Sequence, residues 1–175
     1  MRIIAGNLGG LAFSSPTGHR THPMSNKVRG GLFNVLGDVS GLEVLDVFSG
    51  SGALSFEAVS RGAKSSLAID IDKNSQKVIQ ENIVRLRLED KVKVTKAPFI
   101  SWSNRNEDQV FDLVLADPPY TSKPNTVTNL PKHLRPHGSL VLSWPSSQKP
   151  PELDLKLFQS KNYGDASLLF YKKIS

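Results

Sequence analysis

From Glu43 onward, short apolar runs alternate with amphipathic stretches. Val44-Leu45-Asp46-Val47-Phe48 reads as a strand, followed by a helix from about Ala53 to Arg61, a second strand from Ser66 to Ile71 and a helix from about Asn74 to Leu88. Val92 to Thr95 then forms a third strand, Phe99 to Ser103 a short turn of helix and Phe111 to Ala116 a buried fourth strand. Leu130 to Leu134 reads as the remains of a helix before the strand Ser139 to Trp144. Strands that alternate with helices need crossover connections, which build a parallel sheet covered on both faces. The tail breaks the pattern: Leu153 to Phe158 and Ser167 to Lys172 are joined by Lys161-Asn162-Tyr163-Gly164, which suits an antiparallel hairpin. The expected fold is α/β, a mostly parallel, doubly wound, Rossmann-like sheet with a C-terminal antiparallel hairpin.

Ahead of this core, Ile3, Ile4, Leu8, Leu11 and Phe13 surround Gly6, Gly9 and Gly10, as in a small glycine-turned hairpin. Ser25 can cap a helix with Val28, Leu32, Phe33, Val35 and Leu36 on one side, ending at Gly37. That periodicity places Lys27 and Arg29 off the apolar face. The expected organisation is one domain over 1–175, with 1–37 an N-terminal extension and 38–175 the Rossmann-like core.

Composition narrows the function classes. No run approaches the roughly 18 apolar residues of a membrane span, and Met1 to Gly10 lacks the layout of a secretory signal. A cytoplasmic protein, free of membranes, is the expectation. The chain has no cysteine, which closes disulfide, cysteine-zinc and thiol chemistry. His19 and His22 lie in a polar loop with no partner set for a metal, so no metal is expected. The net charge of +6 favours a polyanionic partner. Between Met1 and Gly37, and again between Pro118 and Pro151, there is no Asp or Glu, whereas Arg2, Arg20, Lys27, Arg29, Lys123, Lys132, Arg135 and Lys149 fall in those stretches. Phosphate contacts are expected from Arg20, Lys27, Arg29 and Lys123.

In a doubly wound sheet, ligands bind at the carboxyl ends of the strands. The first strand leads into Asp46-Val47-Phe48-Ser49-Gly50-Ser51-Gly52, where Gly50 and Gly52 allow a tight turn against a ligand, although the third place of the dinucleotide fingerprint is Ser55 rather than glycine. Asp70 ends the second strand at the distance expected of a carboxylate that bonds a ribose hydroxyl pair, while Asp72 suits the cap of the next helix. To this point a nicotinamide dinucleotide and S-adenosylmethionine are equally allowed.

The fourth strand separates them, because Phe111 to Ala116 runs straight into Asp117-Pro118-Pro119-Tyr120. Each proline fixes φ and restricts the residue before it, so the chain leaves the sheet rigidly. The Asp117 carboxylate and the Pro118 carbonyl can then accept both hydrogens of one amino group and aim its lone pair at a methyl carbon. Tyr120 offers a flat face to a base, which must be unpaired or flipped out. Trp102 and Trp144 are expected to pack rather than to stack on a base.

With these residues in place the chain resembles class I methyltransferases carrying a D-P-P-Y motif. Among them it is most similar to the RsmD-like small-subunit (16S) ribosomal RNA guanine-N2 methyltransferases. The likeness covers Arg2-Ile3-Ile4-Ala5-Gly6, His22 to Arg29 with Leu32-Phe33-Asn34, Asp46 to Gly52, Asp70 and Asp117 to Tyr120. It implies S-adenosylmethionine as cofactor, with Asp46, Phe48, Gly50, Ser51 and Gly52 at its methionine part, Asp70 at the ribose, and Ile71 and Ala97 at the adenine. It implies that Asp117, Pro118, Pro119 and Tyr120 hold a guanine, and that the partner of this monomer is ribosomal RNA or a partly assembled small subunit. The chain departs from the family in three places. The turn Gly9-Gly10-Leu11-Ala12 lacks arginine, Gly30 replaces an acid, and Lys96 replaces a polar residue facing the adenine amino group. Methylation of another base amine, such as adenine N6 of RNA or DNA, and a non-catalytic RNA-binding or assembly factor are the alternatives, with a dehydrogenase more distant.

Overall fold

The computed structural model describes residues 1–17 and 23–175. Its centre is one seven-stranded sheet in the order β3-β2-β1-β4-β5-β7-β6. The strands are β1 (Glu43–Val47), β2 (Ser65–Asp70), β3 (Val92–Lys96), β4 (Phe111–Ala116), β5 (Leu134–Pro145), β6 (Lys156–Tyr163) and β7 (Ala166–Lys172). The first five pair in parallel, and β7 runs antiparallel to both β5 and β6. The chain order reverses between β1 and β4, which opens a crevice beyond their carboxyl ends.

Strand alternation divides the core between the two faces of the sheet. Val44, Leu113, Leu115, Val141, Leu168 and Phe170 face one layer, where α1 (Asn26–Leu36), α2 (Ala53–Ser60) and α3 (Lys73–Leu86) supply Leu32, Phe33, Phe56, Ile79 and Ile83. Leu45, Val47, Val114, Leu140, Leu142 and Trp144 face the other, beneath α4 (Phe99–Arg105) and the 3₁₀ turn Leu130–His133. Trp102 and Trp144 are both buried there, in packing roles as expected. His133 is buried against Trp102, with Nδ1 2.7 Å from the Gln109 carbonyl and Nε2 2.8 Å from Ser103 Oγ. A neutral ring that donates from Nδ1 and accepts at Nε2 satisfies both contacts.

The helix ends follow their caps. Ser25 accepts from the Val28 N–H and Asp72 from the Ser75 N–H, at 3.2 and 2.7 Å. The expected N-terminal hairpin forms around the antiparallel bridge Arg2 to Ala12: Met1 and Phe13 exchange bonds at 2.9 and 3.0 Å, the Ile3 N–H donates to the Leu11 carbonyl at 3.0 Å and the Gly10 N–H to the Ile3 carbonyl at 2.8 Å, and the Arg2 guanidinium donates to the Gly10 carbonyl of the arginine-free turn at 2.8 Å. At the other terminus β6 continues through Tyr163, so the reversal falls on Gly164-Asp165, later than the expected turn.

Arg29 corrects the sequence reading. It is not a solvated phosphate ligand: its side chain is fully buried between α1, α2 and the N-terminal segment. Its Nε lies 3.4 Å from Glu57 Oε2, and Nη2 donates to the Arg2 carbonyl and to Asn26 Oδ1 at 2.5 and 3.0 Å. Glu57, also fully buried, accepts from the Ile4 and Ala5 N–H groups at 2.8 and 3.1 Å and from Arg61 Nε at 2.8 Å. One carboxylate thus ties the first residues of the chain to α2 and to α1. Removing one partner of a buried pair strands the other, so Arg29→Met should cost about 3 to 5 kcal/mol of unfolding free energy in urea titration. A loss of RNA affinity with unchanged stability would restore the surface role.

Candidate active site

The loop between β1 and α2 begins with three left-handed residues in five, Phe48 at φ 62°, Gly50 at 53° and Gly52 at 77°. A β-carbon on Gly52 would approach Phe56 to 2.9 Å and Ile79 to 3.1 Å, so glycine is needed there for both conformation and space. The Gly50 N–H donates to Asp70 Oδ2 at 2.7 Å, and the Asp72 N–H donates to Oδ1 at 2.8 Å. Asp70 therefore fixes the turn while each oxygen keeps a lone pair for another donor.

Asp46 lies fully buried within β1. Its Oδ2 accepts from both the N–H and the hydroxyl of Ser55, at 3.0 and 2.7 Å, and Ser66 Oγ is 2.9 Å from Ser55 Oγ. The residue that breaks the glycine fingerprint is thus the one that holds the carboxylate. Asp46 Oδ1 is buried with no partner. Burial pushes this carboxyl up to about 7, against the Ser55 hydrogen bonds and with help from the neighbouring charges of Asp117 and Asp70.

An apolar cleft of about 190 Å³ opens beside Asp70, lined by Phe48, Ile69, Ile71, Ala97, Pro98, Phe99, Ile100 and Thr126. Ile71 stands 65% exposed at this cleft, a large apolar side chain left uncovered where a flat ligand would cover it. The Ala97 N–H already donates to the Asp70 carbonyl at 2.9 Å, so this donor is committed within the fold. Lys96 is exposed at the end of β3.

Asp117 follows β4 on the strand next to Asp46, and its N–H points to the Val47 carbonyl at 3.4 Å. Burial raises its pKa, while a hydrogen bond from the Ser143 side chain lowers it. Register explains that neighbour, since Ala116 pairs with Leu142 and the next residues on each strand stand side by side. Pro118 is buried, whereas Pro119 and Tyr120 are exposed. Tyr120 Oη lies 3.5 Å from Asp165 Oδ1 on the β6–β7 turn, and burial, with Asp165 and Asp117 nearby, raises the phenol pKa. The segment then runs to Thr126 in the cleft wall and to Val127 and Leu130, both fully buried.

The structure brings Asp46, Phe48, Gly50, Gly52, Asp70, Ile71, Ala97 and Asp117 to Tyr120 to one end of the sheet, with Ser51 buried in the same loop. Lys27 and Lys123 are exposed, and Arg20, His19 and His22 lie outside the described residues. Sequence reasoning missed Ser66, Ser143 and Asp165, whose parts depend on strands that meet only in the folded sheet. For Ser55 a signal existed, the polar residue in a glycine position. Gly30 has free space around it, but a β-carbon on Gly31 would meet the Tyr163 hydroxyl at 2.1 Å, so Gly31 admits the close approach of α1 to β6.

A family model described as "Conserved hypothetical protein 95" matches residues 1–172. The chain is 32% identical over 119 residues to the ribosomal RNA small subunit methyltransferase D of Buchnera aphidicola (strain APS), covering 67% of this chain and 62% of that protein. It is 31% identical over 121 residues to the Escherichia coli K12 protein of the same name, covering 69% and 60%. These matches span less than two thirds of each relative. Among solved structures, a hypothetical protein of Thermus thermophilus superposes with a TM-score of 0.83 at 25% identity, covering 97% of this chain and 98% of that one.

The buried Asp46 sets a testable cost. A carboxyl raised to about 7 favours folding while protonated, and that contribution is lost as pH rises from the unfolded value of 3.8 through about 7. Asp46→Asn carries no such loss. It should therefore gain in urea midpoint relative to the wild type as pH rises through about 7, and an equal difference at every pH would refute the shift.

Proposed function

The chain belongs to the family described as conserved hypothetical protein 95, the RsmD-like methyltransferases, and from that membership we propose that it transfers a methyl group from S-adenosylmethionine to the exocyclic N2 of a guanine in small-subunit ribosomal RNA. The observation that carries the reading is the placement of Asp117-Pro118-Pro119-Tyr120 directly after β4, beside the glycine loop of β1.

S-adenosylmethionine fits the residues present. The apolar cleft with its uncovered Ile71 suits an adenine ring, and Asp70 at its side keeps acceptors for ribose hydroxyls. The unpartnered Asp46 Oδ1 and the left-handed loop at Phe48, Gly50 and Gly52 suit the charged methionine part. When bound, the sulfonium supplies an already activated methyl group.

The chain's own residues then have to prepare a poor nucleophile. A guanine amine delocalises its lone pair into the ring, so it must be turned out of conjugation and aimed. The Asp117 carboxylate and the Pro118 carbonyl accept its two hydrogens, and the proline pair holds both acceptors rigidly. As the new N–C bond forms and the S–C bond breaks, positive charge grows on nitrogen, and the Asp117 carboxylate stabilises it. The same carboxylate is in place to take the surplus proton, and its burial-raised pKa favours that transfer. Tyr120 stacks on the base, its ring oriented by the hydroxyl's contact with Asp165. Stacking requires an unpaired or flipped nucleotide, at a cost of roughly a few kcal/mol that a loop largely avoids.

This assigns Asp117 to the transfer and not to cofactor binding. Asp117→Ala should lower single-turnover methyl transfer by about 10²- to 10³-fold or more, while cofactor affinity measured by calorimetry stays within a small factor of wild type. Wild-type turnover in that variant would end the proposed mechanism.

A further inference from the structure

The outer edge of the sheet carries a charge pattern that the transfer site does not use. From Leu155 to Ser175 the only acid is Asp165, at the turn beside Tyr120, while Lys156, Lys161, Lys172 and Lys173 are present. Lys173 is occupied, its ammonium donating to the Pro131 and Leu134 carbonyls at 3.2 and 2.8 Å. The other three are exposed; Lys172 donates to Ser139 Oγ at 3.2 Å, and none of the three belongs to an ion pair among the described residues.

Lys156 and Lys172 stand directly opposite each other across the β6–β7 ladder. Like charges in that position are destabilising, and the fold supplies no carboxylate to relieve them. Protection of the edge against strand pairing does not account for this arrangement. The register shift between Leu157 and Gln159 already blunts β6, and Lys172 is on the inner strand β7, which needs no protection. Strand alternation puts Lys156, Lys161 and Lys172 on one face, the face on which α1 packs. Phe158, 49% exposed, stands between the two β6 lysines with its ring 6.2 Å from that of Phe170.

α1 continues the same character. It contains no acid, and Lys27 is exposed one helical turn before Gly31, the residue in contact with Tyr163 of β6. The lysines therefore begin near the turn that contacts Tyr120 and follow β6 away from it, Lys161 to Lys156 spanning about 17 Å at the usual strand rise of about 3.3 Å per residue.

We propose that this acid-free outer edge, Lys156, Lys161 and Lys172 with Phe158 between them and Lys27 alongside, binds the phosphates of the RNA strand that flanks the target nucleotide. The inference rests on the RNA substrate proposed above. It makes the unrelieved lysine pair a cost in the free protein that phosphate binding offsets. It also gives the strand a defined path, entering over Tyr120 and leaving along β6.

The test compares RNA binding over a range of salt concentrations for wild type, Lys156→Ala/Lys161→Ala and a control with the same charge change on the opposite edge, Lys91→Ala/Lys93→Ala. The probe is naked small-subunit ribosomal RNA. Each lost phosphate contact flattens the log K against log salt slope by roughly 0.7 to 0.9, so the β6 variant should be shallower by about 1.5 and the control unchanged. Equal slopes in all three overturn the edge proposal and leave the RNA reading intact, whereas a wild type that binds neither this RNA nor a partly assembled small subunit removes both. A single variant adds a readout that a merely solvated edge would not move. Lys172→Glu places opposite charges across from each other at Lys156, so it should melt at or above the wild-type temperature and yet bind RNA several-fold more weakly. Wild-type RNA affinity in Lys172→Glu would overturn the proposal.

Discussion

Everything at the functional end of this protein follows from holding three carboxylates, Asp70, Asp46 and Asp117, on the adjacent strands β2, β1 and β4. Burial at the carboxyl end of the sheet favours protonation, and Asp46 and Asp117 are both shifted that way, Asp46 with a smaller push from the charges of Asp117 and Asp70. The fold answers with donors: the Gly50 and Asp72 N–H groups for Asp70, Ser55 for Asp46 and Ser143 for Asp117. Each donor depends on a particular turn or register, so the left-handed loop, the parallel pairing and the site form one requirement. The balance also leaves acceptor capacity facing outward. Asp70 keeps free lone pairs, and the buried Asp46 Oδ1 has no partner.

The N-terminal segment is fastened by a different means. Glu57 gathers two backbone N–H groups and two guanidiniums, so a small hairpin outside the main sheet is held to α2 by a charged cluster. Asn82 extends the attachment along α3, accepting from the Ser14 N–H at 2.9 Å and donating to the Ser14 carbonyl at 2.8 Å. With α1 pressed against Tyr163 through Gly31, both ends of the chain meet on one face of the sheet.

The sheet was legible because each parallel strand is a short apolar run between turn signals, and Phe111 to Ala116 is bounded identically in sequence and structure. The glycine loop, Asp70 and the Asp-Pro-Pro-Tyr segment were legible because their chemistry is local to a few residues. Arg29 was not. Its helix reads as amphipathic with two glycines beside the arginine, and nothing in the sequence announces that Glu57, 28 positions later, is buried opposite it. The same holds for Ser143 beside Asp117 and Asp165 beside Tyr120, contacts set by strand register and by a turn that falls later than its residues suggest. The N-terminal glycines signalled the hairpin correctly, but its turn, residues 4–8, is held by bonds to Glu57 and Ser60 that nothing local to it announces.

The central claim is that the carboxyl end of the sheet, at β1 and β4, presents a guanine amine to an activated methyl group. The most direct test is transfer of labelled methyl from S-adenosylmethionine to ribosomal RNA, offered naked and in partly assembled small subunits, with the modified nucleoside identified by mass spectrometry. N2-methylguanosine is the predicted product. Label in a different nucleoside, or no transfer to either substrate by a protein that binds the cofactor, would contradict it.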